Sequence, residues 1–436
     1  MRRAVLMLFA GAVAAALLLP AAEGHEEAPL SVRIVEPHLR GPGRLGADVI
    51  VDGVQPDRPV SVEWTVVIGA QTIYRSPHPL IARRVPATID LPAGRVRAGD
   101  VSVAEFTPVP LLDDDLLVSV EITARQAGAT ATARRSIVVR LPTVIVPGYL
   151  NEIDTAADPR VVSELERRGY SAEGASPDVF WFPYQSRRLS LREAAVALAA
   201  YVRTAVLPAA YAARINVVGY SLGGLMARWN IAFEPGWERL VNRLFLIGVP
   251  SEGAVAAYAY AWYPLGGLAR TPAARELLPT FPFWRPDARV PWSVPPDGQN
   301  ATLTELNRHP LPASVRAYAM YGHQAGGTMS GITGYFPNPR FSYGPGDGIV
   351  LVASALGLAV NGGGGVPGLA DRLTAAVDLG PQRHFTLLAA AISKVGDILT
   401  ARTTVRVARR RGGPAPQACW SNLREVPLGL SLCGAF

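Results

Sequence analysis

The segment Ile215-Asn216-Val217-Val218-Gly219-Tyr220-Ser221-Leu222-Gly223-Gly224-Leu225-Met226 constrains this chain more than any other. A largely apolar run suited to a buried strand leads through a glycine into a serine, and a helix-compatible run over residues 225–233 follows. The Gly-x-Ser-x-Gly spacing fits a tight, strained turn, in which a side chain at Gly219 or Gly223 would collide with the neighbouring strand or helix. Such a turn lifts the Ser221 hydroxyl above a sheet edge. It also aims the first amides of the following helix, that of Leu222 among them, at a point where a negative oxygen can be held.

The surrounding chain alternates as a parallel sheet covered on both faces requires. Residues 143–146 read as a buried strand followed by Pro147-Gly148-Tyr149-Leu150, residues 161–168 as a helix and residues 179–182 as a strand. Ser190-Leu191-Arg192-Glu193 fits a capping box that opens a long helix running to about residue 206. Residues 244–247 begin another buried strand, alternation resumes at 315–321, and a glycine-rich loop with Gly362 to Gly365 precedes a final helix over 387–399. Between residues 251 and 311 this rhythm fails. There Tyr258, Tyr260, Trp262, Tyr263, Phe281, Phe283, Trp284 and Trp292 accumulate among prolines. An inserted cap over residues 252–312 accounts for them, its aromatics either lining an apolar groove or forming the cap's own core.

The first part of the chain has a different texture. Residues 32–35, 47–51, 60–68, 87–91, 116–124 and 130–139 read as short strands between polar, Gly and Pro turns, which predicts an all-β sandwich of immunoglobulin-like or fibronectin-like type over residues 28–141. Asp113-Asp114-Asp115 is either a solvated acidic turn or a calcium site. Ahead of it, Arg2-Arg3, an apolar run over residues 4–19 and Pro20-Ala21-Ala22-Glu23-Gly24 have the layout of a secretory signal, with an uncleaved anchor as the alternative. No other uninterrupted apolar stretch is expected to span a bilayer. Export to an extracytoplasmic, secreted or periplasmic location follows, where Cys419 and Cys433, the 2 cysteines, would close a short disulfide loop.

The expected organisation is therefore a signal segment (1–24), a β-sandwich (28–141), an α/β domain (142–403) and a C-terminal tail (404–436). With 49% hydrophobic and 18% charged residues the chain is globular. Its net charge of +7 comes from arginines scattered among acidic residues, with one tight run at Arg409-Arg410-Arg411, so no nucleic-acid partner is expected.

A serine hydroxyl is a weak nucleophile near neutral pH and needs a histidine base, which in turn needs a carboxylate to fix its tautomer. Of the 6 histidines, His25, His38 and His78 fall in the signal boundary or the β module, leaving His309, His323 and His384. His384 comes last, in a loop entering the final helix, as the order serine, acid, histidine requires. Asp347 lies between two glycines in Tyr343-Gly344-Pro345-Gly346-Asp347-Gly348 and is the best acid. Asp371 and Asp378 compete, from a stretch that reads as helix or surface. Pro147-Gly148 lets the backbone approach the reacting carbonyl, so the Tyr149 amide is the second oxyanion donor beside that of Leu222.

These residues resemble the α/β-hydrolases of the lecithin:cholesterol acyltransferase-like and lipase kind. The resemblance rests on Val146 to Leu150, Gly219 to Gly224, Leu246-Ile247-Gly248-Val249-Pro250-Ser251-Glu252-Gly253, Ala274-Arg275-Glu276-Leu277-Leu278-Pro279, Gly346 to Val350, and His384-Phe385. It covers residues 143–400. It implies an α/β-hydrolase fold with an inserted cap, and a Ser221–His384–Asp347 triad acting on lipid or other acyl esters at a lipid surface or in solution. Such chemistry requires no metal and no organic cofactor, and becomes acyl transfer if an alcohol reaches the acyl-enzyme before water. Ser251 stands where many relatives have histidine, and the N-terminal sandwich is not part of that family's core. The competing expectation is a secreted binding or adhesion protein with an inactive hydrolase domain.

Overall fold

The computed structural model describes residues 29–41, 44–53, 58, 60–68, 71–75, 80–82, 101–102, 115–149, 158–173, 177–210, 212–254, 256–257, 271–281, 300–323, 345–360 and 365–400. The signal segment, the strand expected at 87–91, Asp113, Asp114, every cap aromatic named above except Phe281, Gly362 to Gly364, the arginine run and both cysteines lie outside the described residues.

Strands β1 (Ser31–Gly41), β2 (Arg44–Asp52), β3 (Val60–Ile68), β4 (Gln71–Arg75), β5 (Leu80–Ala82), β6 (Val101–Ser102), β7 (Leu116–Gln126) and β8 (Ala129–Val139) precede the alternating part of the chain. They form two sheets, β1-β2-β6 and β4-β3-β7-β8, with β5 on β3, and every pairing is antiparallel. Val118, Val120, Ile122 and Ala124 are buried at every second position of β7, as one inward face of a pleated strand requires. Sequence patterning found β3, the larger part of β2, β7 and β8, and only the first third of β1 (residues 32–35 of Ser31–Gly41). It missed the short β4, β5 and β6, too brief to show a period of two.

The alternating part builds one six-stranded sheet, all parallel, from β9 (Thr143–Val146), β10 (Val179–Trp181), β11 (Ile215–Tyr220), β12 (Val241–Ile247), β13 (Arg316–Tyr321) and β14 (Leu373–Asp378), in the order β10-β9-β11-β12-β13-β14. Strands β9, β11 and β12 are buried at every residue, which explains their nearly continuous apolar runs. The period of two divides these side chains between two cores. Val144, Val146, Val217, Leu244, Leu246, Ala317 and Ala319 face helices α2 (Leu191–Tyr201) and α3 (Leu222–Phe233). Ile145, Val218, Tyr220, Phe245, Ile247 and Met320 face α1 (Pro159–Glu166) and the C-terminal helix His384–Thr400.

Three local readings are corrected by this arrangement. Leu373–Asp378, taken as helix or surface, is the last strand of the sheet; it sits at the edge with half-buried and exposed residues alternating, and its alanines carry little strand preference. Its Asp378 closes that strand. Leu191–Ala210 is a continuous 20-residue helical run, long and apolar enough by composition to cross a membrane, where no second such stretch was expected. Leu191, Ala194, Ala195, Leu198, Val202 and Val206 nevertheless lie against the sheet as a core face, and the run passes through a π-helical turn, Val202–Val206. The final helix starts at His384 itself rather than at residue 387. The capping box forms as read: Ser190 Oγ accepts from the Glu193 amide, and the Glu193 carboxylate accepts from the Ser190 amide at 2.8 Å.

Candidate active site

Ser221 follows β11 and precedes α3 with φ 52° and ψ −121°, a conformation that L-residues adopt only under strain. Its amide donates to Ile247 O (2.9 Å) and its carbonyl accepts from the Gly224 amide (3.0 Å), so the turn is held from both sides. The glycines leave no alternative. A Cβ on Gly219 would lie 2.5 Å from Gly224 Cα, one on Gly223 would lie 2.1 Å from Val146 O, and one on Gly224 would lie 2.2 Å from Val249 Cγ2. Strand β9, strand β11 and helix α3 therefore meet at backbone contact distance around the serine.

His384 Nε2 lies 3.0 Å from Ser221 Oγ, and His384 Nδ1 lies 2.7 Å from Asp347 Oδ2. The other carboxylate oxygen of Asp347 accepts from the Ile349 amide (3.0 Å) and the Val350 amide (2.8 Å). An ionised carboxylate held by two amides keeps the proton on Nδ1 and leaves Nε2 as the acceptor facing the hydroxyl. The backbone repeats the linkage, since the His384 amide donates to Asp347 O (2.9 Å). Tyr220 adds a further brace: its hydroxyl donates to His384 O at 2.7 Å and its ring centroid lies 5.1 Å from the imidazole. Ser221, His384 and Asp347 are all buried, at 6%, 5% and 2% exposure, so the relay lies away from bulk water.

Pro147-Gly148 passes directly beside the serine, for a Cβ on Gly148 would come 2.8 Å from Ser221 Cβ. Tyr149 follows, buried, with its hydroxyl 2.7 Å from Thr271 Oγ1 of the cap. Leu222 is the first residue of α3. Gly248, at φ 54°, brings the end of β12 against the relay: a Cβ there would stand 3.2 Å from Asp347 Oδ2 and 3.3 Å from His384 Cε1. Ser221, Gly148, Gly248 and His384 thus all follow the C-terminal ends of parallel strands, where open α/β sheets hold their ligands.

A small cleft opens onto Ser221 and His384, walled by Ala254, Ala257, Leu277, Ile349, Val350 and Phe385. Its walls are apolar, and Phe385 is 65% exposed at its rim. The loop that supplies Pro250 and Ala254 is held from below by buried polar groups. Arg228 of α3 donates to Asn307 Oδ1 (3.1 Å), Asn307 Nδ2 donates to Ser251 O (2.7 Å), the Glu252 amide donates to Ser354 Oγ (3.0 Å) and Thr280 Oγ1 donates to Glu252 Oε2 (2.5 Å). Burial pushes the Arg228 guanidinium down to about 10 and the Glu252 carboxyl above its usual range, each opposed by the charge of the other.

The competing residues lie elsewhere. His309 sits edge-on to Phe233 (centroids 4.5 Å apart), and His323 Nδ1 faces Asp378 Oδ1 at 3.2 Å in a pair that is 41% and 37% exposed. Asp371 is exposed on the short helix Leu369–Arg372. Asp115, of the acidic run, accepts from the Leu141 amide at 3.0 Å and pairs with Arg140. Among the described residues no group of three His, Cys, Asp or Glu side chains is placed to hold a metal ion. Reading the sequence assigned no site role to Tyr220, Thr271 or Tyr184, whose hydroxyl reaches the Pro147-Gly148 segment, and named Gly248 only as part of the resemblance; of the first three, only Tyr220, next to the serine, had a position that pointed to the site.

A six-stranded parallel sheet with helices on both faces, a strained serine between strand and helix, an acid from a later loop and a histidine at the start of the last helix are the features of an α/β-hydrolase fold. No family model matches the sequence, and no curated protein does. Among solved structures, a lipase from Bacillus licheniformis in its mature form is similar at 17% identity and TM-score 0.41, over 59% of this chain and 90% of that one. A carboxyl esterase of metagenomic origin is similar at 16% identity and TM-score 0.38, over 60% of this chain and 74% of that one. Lipase B of Aspergillus fumigatus is similar at 15% identity and TM-score 0.36, over 60% of this chain and 52% of that one.

Proposed function

We propose that this protein is a serine hydrolase that cleaves carboxylic esters of acyl chains, with Ser221 as nucleophile, His384 as base and Asp347 as the group that orients it. The observation that carries this reading is the unbroken hydrogen-bond chain from Asp347 Oδ2 through the imidazole to Ser221 Oγ at the wall of an apolar cleft. As Ser221 Oγ bonds to the ester carbonyl carbon, its proton passes to His384 Nε2 and the carbonyl electron pair moves onto oxygen, where the amides of Leu222 and Tyr149 stabilise it. The tetrahedral species collapses, the bond to the alcohol oxygen breaks, and His384 gives its proton to that oxygen. Water then attacks the acyl-enzyme with His384 again as base, releasing the acid and restoring the Ser221 hydroxyl.

The apolar walls favour an acyl chain over a charged or sugar substituent on the carbonyl side. The layout of residues 1–24 supports export, so the substrate would be met outside the cytoplasm. The test is labelling of the purified protein with a fluorophosphonate, alongside hydrolysis of p-nitrophenyl esters of increasing chain length. Labelling and turnover that Ser221→Ala abolishes are expected; turnover retained in that variant would overturn the assignment.

A further inference from the structure

Tyr184 lies beyond the end of β10, and its hydroxyl is 3.0 Å from Pro147 O and 3.1 Å from Gly148 O. One phenolic proton is therefore shared between two successive backbone carbonyls. A trans peptide is planar, so each N–H points opposite to the carbonyl of the same unit. Two consecutive carbonyls that meet a single hydroxyl must face the same side, which turns the next two amides, those of Gly148 and Tyr149, together to the other side. Consecutive amides on one side form a concave nest for an anion. The Ser221 Cβ adjoins this same backbone, 2.8 Å from where a Cβ on Gly148 would stand.

We propose that Tyr184 is a positioning residue for the oxyanion site. By holding the Pro147 and Gly148 carbonyls, it fixes the direction of the backbone that carries the Tyr149 amide, which with that of Leu222 meets the developing negative charge. This rests on the serine-hydrolase reading of Ser221. The phenol is itself held in place: its ring is stacked on Phe182, with centroids 5.4 Å apart and planes 8° from parallel, so its hydroxyl is presented in a set direction. The Tyr149 hydroxyl bonded to Thr271 Oγ1 is a second brace on the same segment. A donor array that is fixed before reaction stabilises the transition state without reorganisation, whereas a loop free to rotate does not.

Tyr184→Phe keeps the ring and removes only the hydroxyl. Tyr201→Phe is its control, because Tyr201 belongs to the same aromatic group, 5.4 Å from Phe182, and donates to Trp181 O, which is not part of the serine's surroundings. With p-nitrophenyl butyrate, Tyr184→Phe is expected to lower kcat by about tenfold or more with KM within about twofold, and Tyr201→Phe to change neither by more than about twofold. A trifluoromethyl ketone, which adds Ser221 to form a tetrahedral oxyanion, should lose affinity for Tyr184→Phe by the same factor as kcat/KM falls. Thr271→Val should move both quantities in the same direction and Thr271→Ser should restore them.

Equal kcat in Tyr184→Phe and wild type, a fall matched by Tyr201→Phe, or a fall in kcat with unchanged ketone affinity would each overturn the role assigned to Tyr184. A wild-type protein that neither turns over esters nor labels at Ser221 would instead remove the serine-hydrolase reading, and this inference with it.

Discussion

Whether a glycine here can be replaced depends on what its Cβ would strike, and two positions separate that effect from backbone conformation. Gly223 has an ordinary φ and no space, with Val146 O 2.1 Å from the site of a Cβ; Gly380 has φ 73° and nothing within 4 Å. Gly380→Ala should therefore cost only the left-handed penalty, about 1 kcal/mol. Gly223→Ala must push strand β9 away from α3 and should prevent accumulation of folded protein, as measured by urea denaturation and soluble yield of the two variants side by side. Asp347→Asn tests a different property. An amide donor facing Nδ1 would place the imidazole proton on Nε2, toward Ser221, so kcat should fall by about 10⁴-fold while the melting temperature changes little. Loss of less than about tenfold would mean that the Asp347 charge does not set the tautomer.

At the scale of elements, an ionisable carboxyl stands where β10 begins beside β9. Asp178 precedes β10; its carbonyl accepts from the Thr143 amide (2.7 Å) and its carboxylate accepts from the Ser171 amide (2.5 Å). Burial pushes its carboxyl up to about 7 from 3.8, against the amide bond from Ser171 and the charge of Arg140. The folded state therefore binds this proton more tightly than the unfolded chain does. Its contribution is complete below about 4 and is lost as pH rises through about 7. Wild-type protein should lose stability between pH 5 and 8 more steeply than Asp178→Asn, which keeps an acceptor for the Ser171 amide and stays neutral; equal slopes in urea titrations would refute this.

The same scale shows what the sequence made legible. The strand–serine–helix turn could be read because its causes are local: three glycines and one serine within six residues. Asp347 stood out by its flanking glycines and His384 by its place in chain order. Strand β14 could not be read, because its small side chains alternate at a sheet edge without a strong apolar period. Tyr184 was invisible for a different reason. Its hydroxyl meets the Pro147 and Gly148 carbonyls across 37 and 36 positions of sequence, and no residue around Tyr184 encodes that encounter.

At the scale of the whole molecule, one arginine joins the antiparallel strands to the parallel sheet. Arg140 follows β8 and leads into β9, so its backbone already connects them. Its Nη1 lies 3.4 Å from Asp115 Oδ2 at the start of β7, while its Nε and Nη2 donate to Gly169 O (3.1 Å) and Arg168 O (2.9 Å) beyond α1. The guanidinium also lies 4.5 Å from the centre of the Tyr170 ring. Asp115 in turn accepts from the Leu141 amide, so the hairpin β7-β8 and the turn after α1 share one largely buried charge pair, with side chains 13% and 14% exposed. Removing the guanidinium would leave the Asp115 carboxylate and two carbonyls short of donors, a cost of about 1–3 kcal/mol. None of these groups touches Ser221, His384 or Asp347. Arg140→Ala should therefore keep kcat on a soluble ester while the antiparallel strands and the parallel sheet unfold at separate urea concentrations, followed by hydrogen exchange of β7 and β11. If both sets of amides still open in a single transition at the wild-type midpoint, the coupling does not run through Arg140 and must be carried by the short connection from β8 to β9.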